Sequence, residues 1–65
     1  MKLSNLLTLM ADNDHIRIFA DSTLRLPTHE LYKGSVIDCY KHPKLLKRKV
    51  AFFYAIRDDL YLFIT

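Results

Sequence analysis

Cys39-Tyr40-Lys41-His42 sets a thiol and an imidazole three residues apart. That C-x-x-H spacing lets a thiolate and a ring nitrogen reach one tetrahedral ion from a single turn. His29 and His15 are the remaining imidazoles, Asp38 or Asp14 could stand in as a carboxylate, and zinc is the ion such a set would hold. The competing reading is a small buried cysteine beside surface histidines. A lone C-x-x-H without a second C-x-x-C or H-x-x-x-H favours it, so no cofactor is expected, with zinc as the alternative.

A second constellation is cationic. Residues 41–49 contain Lys41, Lys44, Lys47, Arg48 and Lys49, five of the chain's ten basic residues, and no acid. On a helix Lys44, Lys47 and Arg48 lie near one another, with Leu45 and Leu46 turned inward. Such a patch could neutralise phosphates while Tyr54, Tyr61 and Phe63 stack bases, as in sheet-based RNA binders. The ordinary alternative is a solvated helix face. It is favoured by a net charge of only +3, from 10 Lys and Arg against 7 Asp and Glu.

Asp12 with Asp14 and Asp58 with Asp59 are the closely spaced carboxylates, and either pair could serve acid-base work or a divalent cation. Both pairs fall where turns are expected, and Asp is favoured in turns because its side chain bonds its own backbone. There is no G-x-S-x-G and no H-E-x-x-H, and the single Gly34 cannot build a phosphate-cradling loop. The chain is not expected to be an enzyme.

The elements that must position these residues begin with Leu3, Leu6, Leu7 and Met10, whose spacing is that of one helical face. Ser4 would cap that helix, which should run from 4 to 11 and end at Asp12-Asn13-Asp14. Residues 15–20 then alternate, with Ile16, Ile18 and Ala20 on one face and His15, Arg17 and Phe19 on the other, as in a strand. After a turn at Asp21-Ser22-Thr23 a hairpin partner should lie between 24 and 36. It is either Leu24-Arg25-Leu26, broken by Pro27, or residues 29–36 with Gly34 at a bulge or edge bend. Residues 37–46 read as a loop entering a short second helix with Pro43 at its first position.

The chain closes on two apolar runs, 50–56 and 60–65, joined by Arg57, Asp58 and Asp59. Val50-Ala51-Phe52-Phe53-Tyr54-Ala55-Ile56 has no polar face, so both sides of this hairpin should be covered. A turn through Asp58-Asp59 would pair Ile56 with Tyr61 and Tyr54 with Phe63, placing Val50, Phe52, Tyr54, Ile56, Tyr61 and Phe63 together. The alanines mark the other face, where the first helix should pack on Ala51, Phe53, Ala55 and Leu62. The expected fold is a single α+β domain over 1–65. It has a four-stranded, mainly antiparallel sheet, an N-terminal helix and a short second helix in the order α-β-β-α-β-β.

A chain of 65 residues buries only about 60% of its unfolded surface, so a staple is expected. With one cysteine an intrachain disulfide is excluded, and a reducing, cytoplasmic setting fits. No apolar stretch approaches the roughly 18 to 20 residues that span a bilayer, so no membrane contact is expected. A homodimer sealed by Phe52, Tyr54, Tyr61 and Phe63 would supply the staple.

Taken together, the Met1-Lys2-Leu3-Ser4 opening of a leucine helix, the Asp12-Asn13-Asp14 turn, the Ile16-Arg17-Ile18-Phe19 strand, Tyr32-Lys33-Gly34 and the hairpin split by Asp58-Asp59 form a layout. It resembles the short proteins encoded by phages and prophages of Gram-positive bacteria, which include anti-CRISPR inhibitors of type II effector nucleases. The resemblance spans the whole chain and rests on pattern. It implies a small, non-catalytic inhibitor in the host cytoplasm that binds a host-defence protein. No residue roles carry over from it, because such inhibitors share no common site; the apolar sheet face and the basic run are what place the expected contact at Phe52, Tyr54, Tyr61, Phe63, Lys44, Lys47 and Arg48. Many such inhibitors are acidic mimics of DNA, whereas this chain is basic. It should therefore grip a protein surface away from the DNA channel, or compete through the guide or target strand. The alternatives are a nucleic-acid or nucleotide-binding module and a structural homodimer.

Overall fold

A computed structural model describes residues 1–21 and 29–65. The elements are α1 (Leu3–Leu7), β1 (His15–Ala20), β2 (Glu30–Ser35), α2 (Val36–Cys39), α3 (Pro43–Leu46), β3 (Val50–Ile56) and β4 (Asp59–Ile64). The fold is α+β around one four-stranded sheet in the order β2-β1-β4-β3. The outer pairings are antiparallel and β1 runs parallel to β4, so the sheet is mixed. The first strand and the second half of the hairpin partnership have the expected places. The Leu24-Arg25-Leu26 alternative and most of the Asp21-Ser22-Thr23 turn lie outside the described residues.

All the helices that pack on the sheet do so on one face. Leu3, Leu6 and Leu7 of α1 and Val36 and Cys39 of α2 form one buried cluster with Ile16, Ile18, Leu62 and Ile64. Met10, Tyr32, Leu45, Leu46, Val50 and Leu60 are packed against it. Each buried Leu or Ile contributes about 1.5–3 kcal/mol, which is how such short helices are held. Nucleation alone would leave helices of four or five residues unformed.

Helix α1 starts earlier and ends sooner than its periodicity suggests. Lys2 is extended and bridges Lys49, and the Leu3 N–H donates to the Arg48 carbonyl at 2.9 Å, so the helix begins at Leu3 and Ser4 lies inside it rather than capping it. Past Leu7 the N–H groups of Leu9 and Met10 reach back three residues, to Leu6 and Leu7, in tighter turns. Met10 thereby keeps its place against the core. The Asp12-Asn13-Asp14 turn has a further duty. Its Asp12 and Asp14 carbonyls accept the Ile37 and Val36 N–H groups, both at 2.9 Å, at the start of α2. That helix, absent from the sequence reading, is also capped by the Ser35 hydroxyl, which accepts from the Asp38 N–H.

The closing hairpin turns one residue earlier than expected. Arg57 has φ 55°, the left-handed conformation a tight two-residue loop requires, so Arg57-Asp58 forms the loop and Ile56 faces Asp59. Tyr54 then faces Tyr61, and Phe52 faces Phe63, instead of the Ile56–Tyr61 and Tyr54–Phe63 pairs. A shift of two residues preserves the faces, so the aromatic grouping survives it. Val50 does not join that grouping. Ala51 is an extra residue between Val50, opposite Ile64, and Phe52, opposite Phe63, and this bulge turns Val50 to the helix side. Ala51, Phe53 and Ala55 are exposed rather than covered by α1, because β3 lies at the sheet edge and the helices dock over the central strands.

A matching irregularity sits on β2. Tyr32 faces Ile18 and Glu30 faces Phe19, so Leu31 is the extra residue and Glu30 reaches the face opposite Tyr32. The irregularity is at Leu31, not at Gly34. Gly34 has φ 157°, and a Cβ there would stand 2.8 Å from the Tyr32 hydroxyl and 3.2 Å from Cζ, while that hydroxyl donates to the Ser35 carbonyl at 2.7 Å. Gly34→Ala should therefore cost about 1–3 kcal/mol in urea melts. The cost should be smaller in a Tyr32→Phe background, since the closest atom is then gone; equal costs in both backgrounds would mean that the ring is not the obstacle.

Candidate functional site

The face opposite the helices is built from the alternate residues of all four strands. Register places Phe19 beside Phe63 and Arg17 beside Tyr61, with Phe52 and Tyr54 beyond them on β3. Their rings pack against one another. Tyr61 lies between Phe19 and Tyr54, with centroids at 5.6 and 5.5 Å. Phe63 contacts Phe19 at 5.5 Å, Tyr54 at 5.8 Å and Phe52 at 6.2 Å. Phe52 and Tyr54 meet at 5.8 Å. Such pairs add about 0.5–1.5 kcal/mol each beyond their buried area, so this face is a second core as well as a surface.

Arg17 is the charged centre of this face. Its guanidinium lies over the rings of Tyr61 and Phe19, 5.0 and 5.3 Å from their centroids. Its Nε donates to Glu30 Oε2 at 2.6 Å and its Nη1 donates to the Tyr61 hydroxyl at 2.8 Å. The Glu30 carboxylate first, and then the Tyr61 hydroxyl, raise the Arg17 pKa above its ordinary value against the lowering effect of burial. The ion pair is partly exposed, so its worth lies in orienting the rings more than in net stability. Arg17, Glu30 and Phe19 were not among the residues picked out from sequence. The alternation of β1 already put Arg17 and Phe19 on one face; only the Leu31 bulge brings Glu30 to them.

Of the aromatic residues expected to meet a partner, Phe52 is 38% exposed and Tyr54 and Tyr61 are half-buried. Phe63 is fully buried, so it supports the face and does not touch what binds there. It can neither seal a dimer nor stack a base. Tyr61 is held on both sides by rings, which leaves it a poor stacking platform too. Ile56, 44% exposed, extends the accessible margin along β3.

The basic residues divide. Lys44 in α3 and Lys47 just after it are exposed, and Lys41 pairs with Asp38 at 3.4 Å. Arg48 lies beyond the helix and is half-buried, with Nε donating to the Thr65 carbonyl at 2.8 Å. It joins the lead-in of β3 to the exit of β4 instead of completing a free patch, so reversing its charge should disturb the fold.

The sulfur and nitrogen set is similarly dispersed. Cys39 is fully buried in the aliphatic cluster, while His42, His29 and His15 are exposed. The His42 ring rests on Tyr32 at 5.2 Å, and His15 opens β1 opposite Ser35 and Asp59. Among the described residues no three His, Cys, Asp or Glu side chains form a group that could hold a metal ion. Asp14 is occupied locally, its Oδ2 accepting the Ala11 N–H at 3.0 Å. No protein-family model matches this chain, and no curated protein and no solved structure matches it either. Among the described residues no helix is long and apolar enough to cross a membrane.

Burial pushes the Cys39 thiol up to about 11. The folded state then holds this proton more tightly than the unfolded one, so the contribution is complete below the unfolded thiol value of 9.0 and is lost as pH rises towards 11. Denaturant midpoints should fall across that window, and Cys39→Ala should flatten this part of the fall. A profile identical in wild type and Cys39→Ala would show that the thiol does not set it. Iodoacetamide at pH 8 should label Cys39 only on unfolding.

Proposed function

We propose that this chain is a non-catalytic binding module that grips a host-defence protein and inhibits it, with a type II CRISPR effector nuclease as the partner. The observation that carries the reading is the β3 margin of the aromatic face. There Phe52 and Ile56 are exposed beside Tyr54 on the side of the sheet opposite the helix-packed core. Aromatic anchors on a rigid, pre-organised support are what protein interfaces use, since little side-chain entropy is lost on docking. Arg17 and Glu30 give this anchor a polar rim, and the exposed Lys44 and Lys47 lie apart from it as steering charges. The nucleic-acid reading is weaker because Tyr61 and Phe63 spend their ring faces on one another's neighbours.

Mixing the purified chain with a guide-loaded type II effector nuclease tests this directly. Co-elution and loss of target cleavage are expected, and the co-elution should persist at about 0.5 M salt, because an apolar interface is screened little. Phe52→Ser with Ile56→Ser should weaken the complex at least about tenfold while far-UV circular dichroism stays unchanged. Absence of both co-elution and inhibition would remove this partner. Binding to a single-stranded RNA oligonucleotide that collapses with salt would instead favour the phosphate reading.

A further inference from the structure

Among the described residues, strand β3 is an edge strand whose outer side is paired with backbone at its start, where Lys2 bridges Lys49 and the Val50 N–H donates to the Met1 carbonyl at 2.8 Å. Among the described residues, 51–56 have no strand beyond them. The residues flanking a two-residue hairpin loop exchange both backbone bonds. Ile56 and Tyr54 therefore bond inward to Asp59 and Tyr61, and Phe53 and Ala55 turn N–H and C=O outward. Edges of this kind ordinarily carry lysine, proline or an inward charge against unwanted pairing. Val-Ala-Phe-Phe-Tyr-Ala-Ile carries none of these; a bulge is another such device, but the one at Ala51 lies near the start of the strand and leaves 53–56 in regular register.

We infer that the occupant of this edge is β3 of a second copy, running antiparallel about a two-fold axis at Phe53. By residue class the strand reads alike in both directions: Val50 matches Ile56, Ala51 matches Ala55 and Phe52 matches Tyr54. Self-pairing at Phe53 sets Phe52 beside Tyr54 of the partner subunit and Ala51 beside the partner's Ala55, aromatic against aromatic and small against small, as an isologous contact requires. Val50, turned to the helix side by the Ala51 bulge and bonded to Met1, lies beyond the paired segment. The axis also falls on a residue whose backbone groups already point outward. Charge selects the antiparallel sense. Lys47, Arg48 and Lys49 precede the strand, whereas Arg57, Asp58 and Asp59 follow it with two carboxylates to one guanidinium. Antiparallel copies bring unlike ends together; parallel copies would bring like ends together.

An open apolar recess of about 370 Å³, lined by Met1, Val50, Ala51, Phe52 and Phe53, runs along the same edge. The register carries Ile56 of the partner subunit alongside it. Phe53, 50% exposed in the single copy, is covered at the axis. The two four-stranded sheets become one, and the two aromatic faces become continuous. This pairing uses the strand edge and does not rest on the proposed partner of the face.

Sedimentation equilibrium of the whole chain at about 0.1 mM, a concentration suited to a small interface, reads the outcome. Wild type should be dimeric. Phe53→Lys and Phe53→Glu, which set like charges across the axis, should each raise the dissociation constant at least about tenfold. Mixing those two variants should restore a dimer, because unlike charges then meet. Ala55→Pro removes an outward N–H without touching a bond to β4, and should also be monomeric. It decides the matter if the Phe53 variants lose their circular dichroism. A monomeric wild type, an association unchanged in the folded variants, or no rescue on mixing would overturn the inference.

Discussion

Parallel pairing of β1 with β4 is the constraint on which the rest of the molecule depends. It joins residues 15–20 to 59–64 and places those two strands at the centre of the sheet, with the hairpin partners outside. Arg17 and Tyr61, 44 residues apart in sequence, meet across it. Closing so long a loop costs entropy before any contact rewards it, so each residue on these strands must bury surface productively. They do so on both sides. Ile16, Ile18, Leu62 and Ile64 meet the helices, while Phe19 and Phe63 are equally buried on the other side. A short chain thus obtains two thin cores from one sheet.

The second of those cores contains a cation. Arg17 is tolerated there because Glu30 and Tyr61 accept its hydrogen bonds and aromatic faces receive the rest of its surface. The arrangement ties β2 to β4 through a side chain of β1, reinforcing the strand order through side chains as well as backbone. It also explains why the face divides into a locked region around Phe19, Tyr61 and Phe63 and an accessible one at β3.

Strand β1, the antiparallel hairpins and the grouping of Phe52, Tyr54, Tyr61 and Phe63 were legible in the sequence, because period-two alternation needs no knowledge of distant partners. Proline at the start of α3 was legible for a local reason as well. The β1–β4 pairing was not, since nothing within either segment names the other. Helix α2 escaped because four residues make too short a period to recognise; its cap, Ser35, became meaningful only once β2 was seen to end there. The candidate site was half visible. Its aromatic residues announced themselves by type, but the burial of Phe63 and the capture of Arg48 by Thr65 depend on which strands are central and which are edges. The alternation of β1 put Arg17 on the face of Phe19, but nothing local to that strand showed that Tyr61 and Glu30 would meet it.

The extra residues at Leu31 and Ala51 act on this sheet as frame shifts. Each lets an outer strand serve one face before the bulge and the other after it: Glu30 and Tyr32 on β2, Val50 and Phe52 on β3. Chain length at these two points, rather than the chemistry of any side chain, decides which face receives the residues beyond. Losing Ala51 would exchange the faces of the strand residues before it, turning Val50 from the helix side to the aromatic side. A lineage could in that way exchange what its two faces present by single-residue insertions or deletions, with its composition almost unchanged.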